Sequence, residues 1–437
     1  MQTCDINCNF SLRCEIAVWK FLRNLKISQS LPIGDFMINK KIFVLLTLFC
    51  ISFNLFSQEN SEIDLSTDES KINSVFSEFI AGSLFDKVEI VKSVEVDSIP
   101  QVFFENSLEF ALENKTLIEN HPAYFPLILS SIKKLNSNAS DKTDDLLLKF
   151  YKEFADYNVR LAILKTFSLI SIDNSEIPIL VKDIVAEEVE KNDLSNLDFF
   201  VAAIEVFSNV KYIDAFDVIF NCYKKNICEE ITFAACNALY ELSPLYNDKI
   251  LNLVNIGDLK DKTLAFNIVT TNPKKDKNFS AEIAAKLLFE TINISGEVSE
   301  LSQEQISLQL AAFNILEDSK WTKETELVLK FFKIAQKEYY ELMINEDEFT
   351  SIIYALKEFP TTQTCKALTD FLASQYSETL STGTYNYAVL LAVISTLGEL
   401  GDKDAFDTLL YVISCPDYPD EIISASRDAL EKLKWKW

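Results

Sequence analysis

Histidine is almost absent from this chain. His121 is the only one in 437 residues. It precedes Pro122 with no serine or cysteine motif nearby, which points to a loop or packing role rather than a catalytic one. Glycine is nearly as scarce: there are 7, and Gly257, Gly296 and Gly383 stand alone, so no Gly-rich phosphate loop can be assembled. No CxxC pair occurs, which removes the usual zinc and thioredoxin-like frameworks. Acid clusters such as Glu346-Asp347-Glu348 lack the spacing of an EF-hand loop and read instead as the start of a helix, where negative charge is favoured. No catalytic, metal or cofactor residues are therefore expected.

Positive charge is also short. Lysine and arginine number 41 against 66 aspartates and glutamates, a net charge of −25. Such a chain repels phosphate backbones and anionic lipid, so nucleic-acid binding is not expected. The excess acid reads either as a solvated surface that keeps an apolar chain soluble or as the complement of a basic partner. What the sequence has in quantity is apolar surface: hydrophobic residues make up 48% and phenylalanine alone contributes 33, with only 10 prolines. This is the composition of an ordered, helix-rich chain.

The N-terminal part reads as a processed leader. From Met37 the text runs through Lys40 and Lys41 into an apolar stretch, Ile42 to Phe56, and turns polar at Ser57-Gln58-Glu59-Asn60. That order predicts a secretory signal peptide over 37–57 with cleavage before Gln58, and a periplasmic or secreted product. The run is shorter than the roughly 20 residues of a spanning helix, so an uncleaved anchor ranks second and no stable membrane insertion is expected after cleavage. A lipid anchor on Cys50 ranks third. Residues 1–36 then stand upstream of the start as a non-native extension, and 58–70 read as a mobile acidic leader. Removing residues 1–57 takes away six basic and three acidic residues and leaves 35 against 63. Five cysteines remain after that point, an odd number on helical segments. Cys222 and Cys228, which flank a short loop, are the best placed of them for a bond, but a buried thiol is the preferred reading of Cys222.

The informative pattern is internal likeness. Asp404-Ala405-Phe406-Asp407 repeats Asp214-Ala215-Phe216-Asp217, and the helices on either side keep apolar and small residues in register: Ala392 and Ile394 with Ala202 and Ile204, Ala425 and Leu430 with Ala234 and Leu239. Similarity over three helices, at a shift of 190 positions that one extra loop residue makes 191 for the third, is the signature of stacked repeats. The three- and four-residue periodicity predicts helix after helix from Lys71 onward and almost no strand. A Ser302 to Gln305 cap and a Gly401-Asp402 turn mark boundaries.

The segment Asp156-Tyr157-Asn158-Val159-Arg160-Leu161-Ala162 resembles the inner-helix pattern of HEAT-like repeats of the phycobilisome-lyase type. In that pattern an acid precedes Val-Arg and a small residue follows three positions after the Val. The resemblance is clear over about 156–243 and 383–433 and implies an all-α, right-handed α-solenoid of stacked antiparallel helical hairpins, HEAT- or armadillo-like, over 71–437. Spacing over 258–345 is irregular. Lys432 to Trp437 read as a polar terminal cap. Arg160 is expected to be structural, bonding an acid or a helix end.

Site candidates follow from helical geometry. Asp404, Asp407, Tyr411 and Ser414 fall on one polar stripe opposite Phe406, Leu409, Leu410 and Ile413, and the matching stripe upstream is Asp214, Asp217, Asn221 and Lys224. Second helices line the concave surface of HEAT arrays, so the resemblance implies that Asp214, Asp217, Asn221, Asp404, Asp407 and Tyr411 bind a protein or peptide partner, and their acidic character would suit a basic one. The alternative is an ordinary wet helix face. A further stripe, Lys323, Lys330, Lys333 and Lys337, is basic. The expected function is an exported, non-catalytic scaffold for protein–protein interaction. An enzyme or enzyme-associated factor built on the same solenoid is the alternative, and it predicts a deep pocket gathering His121 or several acids of raised pKa.

Overall fold

Helix follows helix because apolar residues recur at the spacing that collects them on one helical face. The computed structural model describes residues 65–191, 194–293 and 302–433. Among them stand twenty-one α-helices, several 3-10 turns and no strand. The helices are α1 (Leu65–Ala81), α2 (Leu84–Ser93), α3 (Val102–Glu113), α4 (Lys115–Asn120), α5 (Phe125–Lys134), α6 (Thr143–Glu153) and α7 (Tyr157–Phe167). They continue as α8 (Glu176–Lys191), α9 (Leu197–Asn209), α10 (Phe216–Lys225), α11 (Glu229–Glu241), α12 (Asn247–Ile256), α13 (Leu259–Thr271) and α14 (Lys277–Asn293). The last are α15 (Gln303–Asp318), α16 (Thr325–Tyr340), α17 (Glu346–Ala355), α18 (Thr362–Thr382), α19 (Tyr387–Leu400), α20 (Phe406–Ile413) and α21 (Asp420–Lys432).

The expected upstream extension (1–36), the signal peptide (37–57) and most of the acidic leader lie outside the described residues, as does the end of the terminal cap. The leader's last six residues belong to α1, which begins at Leu65. The chain divides into two compact units between Lys71 and Ile72, inside α1. The unit from Ile72 onward is described below.

Among the described residues, helices in substantial contact are never more than three apart in order. One series packs each member on the next but one: α3, α5, α7, α9, α11 and α13, with α17, α19 and α21 in the same relation farther along. A second series contains α8 with α10, and α12, α14, α16, α18 and α20. Consecutive contacts such as α6 with α7, α8 with α9, α10 with α11 and α20 with α21 join the two. The alternation is interrupted at α15, which packs chiefly on α14 and sends Phe313 against Phe331 of α16, ring centres 5.2 Å apart. This is the stretch where the sequence spacing is irregular. Phenylalanine fills much of the interior: Phe103, Phe150, Phe167, Phe207 and Phe332 are fully enclosed.

Polar side chains set how far one helix slides along the next. The last carbonyls of a helix have no partner within it, and here a neighbour supplies one. Lys87 donates to Phe79, Ile80 and Gly82 at the end of α1. Lys134, at the end of α5, donates to the carbonyls of Val91 (2.6 Å), Lys92 (2.9 Å) and Val94 at the end of α2. Asn209 reaches Phe167 and Ile170 at the end of α7 (3.0 and 2.6 Å). Lys225 reaches Val189 in α8 at 3.0 Å. Asn272 reaches Tyr240 in α11 at 3.3 Å. Arg160 joins this group: Nε donates to the Phe154 carbonyl that ends α6 (2.9 Å) while the guanidinium lies 5.0 Å from the Tyr151 ring. It bonds a helix end, as expected, and not an acid.

Two buried threonines repeat a second device. Thr166 Oγ1 contacts the Ile132 carbonyl across the α5–α7 interface, and Thr396 Oγ1 the Ile353 carbonyl across α17–α19 (3.1 and 3.2 Å). The expected boundary signals are in place as well. Ser302 and Gln305 form a reciprocal capping box, Asn345 and Glu348 another at the head of the Glu346 cluster, and Gly401 ends α19 with φ 64°.

Helices α19 and α21 approach closely at Gly398, where an added Cβ would lie 3.1 Å from both Cα and Cβ of Ala429. Gly398→Leu is expected to cost about 2–3 kcal/mol by overpacking, seen as a lower urea midpoint. Lys134→Met, which strips three carbonyls of their donor, is expected to cost about 1–2 kcal/mol in the same measurement.

Candidate functional site

The two aspartate segments fold alike. Each opens with a single 3-10 turn, Ile213–Ala215 or Lys403–Ala405, and passes into a helix at the phenylalanine, Phe216 or Phe406. The alanine is fully enclosed in both, which anchors the turn and leaves the flanking aspartates outside. Asp214, Asp217, Asp404 and Asp407 are all exposed, Asn221 is half-buried and Tyr411 is exposed. Asp217 Oδ2 pairs with Lys249 of α12 at 2.5 Å, whereas the carboxylates of Asp214, Asp404 and Asp407 have no ionic partner. Tyr411 stacks on Tyr376 of α18, with ring centres 6.2 Å apart and planes 24° from parallel.

The structure brings residues of each stripe together but not the stripes themselves. Helices α10 and α20 make no substantial contact with one another, so there are two patches. The apolar side of the second differs from expectation at one position: Leu410 is 44% exposed where its counterpart Phe220 is 6%. Beside α10, Tyr246 packs on Phe216 (ring centres 6.1 Å) and Lys249 on Asp217. In α20 the burial is carried by Leu409 and Val412.

Clefts mark the surface elsewhere, and three of them bear on the candidate residues. One of about 480 Å³ crosses the ends of α7, α9 and α11 and is polar, with Ser168, Glu205, Ser208, Asn237, Tyr240 and Lys274 on its walls. Lys274 pairs there with Glu241 at 2.7 Å. A second, of about 560 Å³, lies between α14 and the turn before α16 and is lined by Leu251, Ala285, Lys286, Phe289, Trp321, Lys323 and Leu327, with Glu282 and Glu324. A third holds Cys228 and Cys236 beside the exposed ring of Phe233. His121 lines none of these three; it is exposed, with its ring 5.9 Å from Tyr124.

Among the described residues no group of three or more possible metal ligands occurs, and no helix is long and apolar enough to cross a membrane. All five described cysteines are free, so Cys222 and Cys228 are not bonded. Burial pushes the Cys222 and Cys365 thiols up to about 12, which makes them inert packing groups. The carboxylates raised by burial are Glu317 and Glu338, and neither lines a cleft named above. Glu338 is fully enclosed and neither of its oxygens has a hydrogen-bond partner. Its position was available in the sequence, since Phe331, Ala335 and Glu338 fall on one helical face.

No protein-family model matches the chain, and comparison with curated proteins finds no match.

Burial raises the Glu338 carboxyl from 4.5 to about 7. Folding therefore disfavours its ionised form. The group is neutral in both folded and unfolded chains below pH 4.5, and its penalty grows as pH rises to about 7 and stays constant above. Glu338→Gln is expected to stabilise the protein by about 2 kcal/mol at pH 8 and by little at pH 4.5. Urea unfolding at the two pH values measures the difference, and equal shifts at both would contradict the assignment.

Proposed function

We propose that this chain is an exported, non-catalytic α-solenoid of HEAT-like hairpins that scaffolds or recognises another protein, with the aspartate patches of α10 and α20 as contact surfaces. The observation that carries the reading is the pair of matching turns, which present Asp214, Asp404 and Asp407 to solvent without ionic partners. An unpaired exposed carboxylate gains most from an incoming cation, which favours a basic partner.

Support for the solenoid comes from the order of the contacts, in which each helix packs on near neighbours in two interleaved series. The ties between helices also have a narrow range of spacing: Thr166 to Ile132 spans 34 positions, Lys225 to Val189 spans 36 and Thr396 to Ile353 spans 43. These values fall within the lengths of helical-hairpin repeats, and the longest of them is that of a HEAT or armadillo hairpin. Export rests on the Met37 to Ser57 sequence pattern. In this reading the scarcity of histidine and of phosphate-binding glycine loops fits a protein whose work is done by surface complementarity.

The test is affinity capture from an envelope extract by the full chain, compared with a variant carrying Asp214→Lys, Asp217→Lys, Asp404→Lys and Asp407→Lys. All four sites are exposed, so the variant is expected to fold. Proteins captured by the parent should be depleted at least about tenfold by the variant. Retention of every specific partner would remove the aspartate patches from the proposal.

A further inference from the structure

The chain is strongly acidic, yet one helix face is basic and unpaired. On α16, Lys330, Lys333 and Lys337 are exposed at i, i+3 and i+7 and make no ion pair. Such pairs are common elsewhere in the described residues, as with Lys152 and Glu176, Lys191 and Glu187, or Lys249 and Asp217. Lys323 stands at the near end of the row, without a carboxylate partner, with its ammonium 4.4 Å from the Trp321 ring centre. The row from Lys323 to Lys337 covers about 21 Å at 1.5 Å per residue.

At the Lys323 end it opens into the cleft between α14 and α16. Phe289 (44% exposed) and Trp321 bound that cleft, and Leu251, Ala285 and Leu327 supply its apolar lining. Lys286 lies 5.4 Å from the Phe289 ring and shares Glu290 at 3.6 Å. Glu282 and Glu324 also line the cleft, and Glu326 is exposed one turn before Lys330. The unbalanced positive charge is therefore concentrated from Lys330 to Lys337. Two features adjoin: an aromatic-walled cleft about the size of one large side chain with room to spare, and a row of free ammonium groups leading away from it.

We propose that this face of α16 binds an acidic segment of another protein, with one apolar side chain of that segment in the Phe289–Trp321 cleft and its carboxylates along Lys330, Lys333 and Lys337. An extended chain at about 3.3 Å per residue matches the row with six or seven residues. The net charge of −25 opposes approach to a membrane or a nucleic acid, whose charge is spread over a large surface, more than approach of a short segment. The surface is separate from the aspartate patches and does not depend on them.

The test is fluorescence anisotropy with the full chain and a labelled octapeptide of glutamates ending in a phenylalanine. Saturable binding that weakens with added salt is expected. The triple variant Lys330→Glu, Lys333→Glu and Lys337→Glu should weaken it at least about tenfold. The corresponding Lys→Gln triple should weaken it in the same direction while keeping the helix face uncharged. Trp321→Ala should lower affinity for the phenylalanine peptide and leave an all-glutamate octapeptide unchanged. A variant with Asp214→Asn, Asp217→Asn, Asp404→Asn and Asp407→Asn, which adds no lysine, should bind as the parent does. The proposal is overturned by absence of saturable binding, by unchanged affinity in both lysine triples, by loss of binding in the aspartate variant, or by equal binding of inorganic polyphosphate or anionic vesicles.

Discussion

A helix with one apolar stripe can bury it only against another helix, and this chain meets that requirement locally, each helix being covered by those just before and after it. The same neighbours resolve the backbone problem that burial creates. Helix C-termini carry carbonyls without intrahelical donors, and Lys87, Lys134, Arg160, Asn209, Lys225 and Asn272 bring donors to them from adjacent elements. Apolar burial supplies most of the driving force, while these donors have one satisfactory position and so fix how each helix lies on the next. Lysine used this way also gains from the negative end of the helix dipole.

Much of the fold was legible because helix signals are short-range. Periodicity placed nearly every helix, and the boundaries at Ser302, Glu346 and Gly401 reflect local chemistry that a few residues encode. Failures have equally local causes. Helix α4 is six residues long with only Ile118 buried, too short to show a period. The 3-10 turns at Ile213–Ala215 and Lys403–Ala405 are single turns closed by Ala215 to Tyr212 and Ala405 to Asp402, and a three-residue turn leaves no hydrophobic pattern of its own. The exposure of Leu410 depends on which element lies beside α20, a fact of tertiary order that its own sequence does not carry.

The candidate surfaces were legible to a different degree. The aspartate and lysine stripes follow from helical spacing alone and stand exposed. Whether a charge is free or paired is a matter of neighbours, however: Asp217 is tied to Lys249 while Asp214 is not, although the two residues sit three apart on one stripe. The cleft beside Trp321 could not be read, because its walls come from α12, α14 and the turn before α16, residues as far apart as Leu251 and Leu327. Surfaces made by one helix are visible in a sequence; surfaces made between helices are not.

The shortness of the contacts has a consequence for how the chain comes into being. Among the described residues no substantial pairing reaches beyond three helices, so the loops that must close there during folding are those of a small domain. Loop-closure entropy is correspondingly modest and contact order low. As the polypeptide leaves the ribosome, each new helix finds its earlier partners already in place: α9 emerges onto α7, α11 onto α9, and α21 completes its packing on α19 and α20. A chain arranged in this way can acquire structure from its N-terminal side at the pace of its own synthesis.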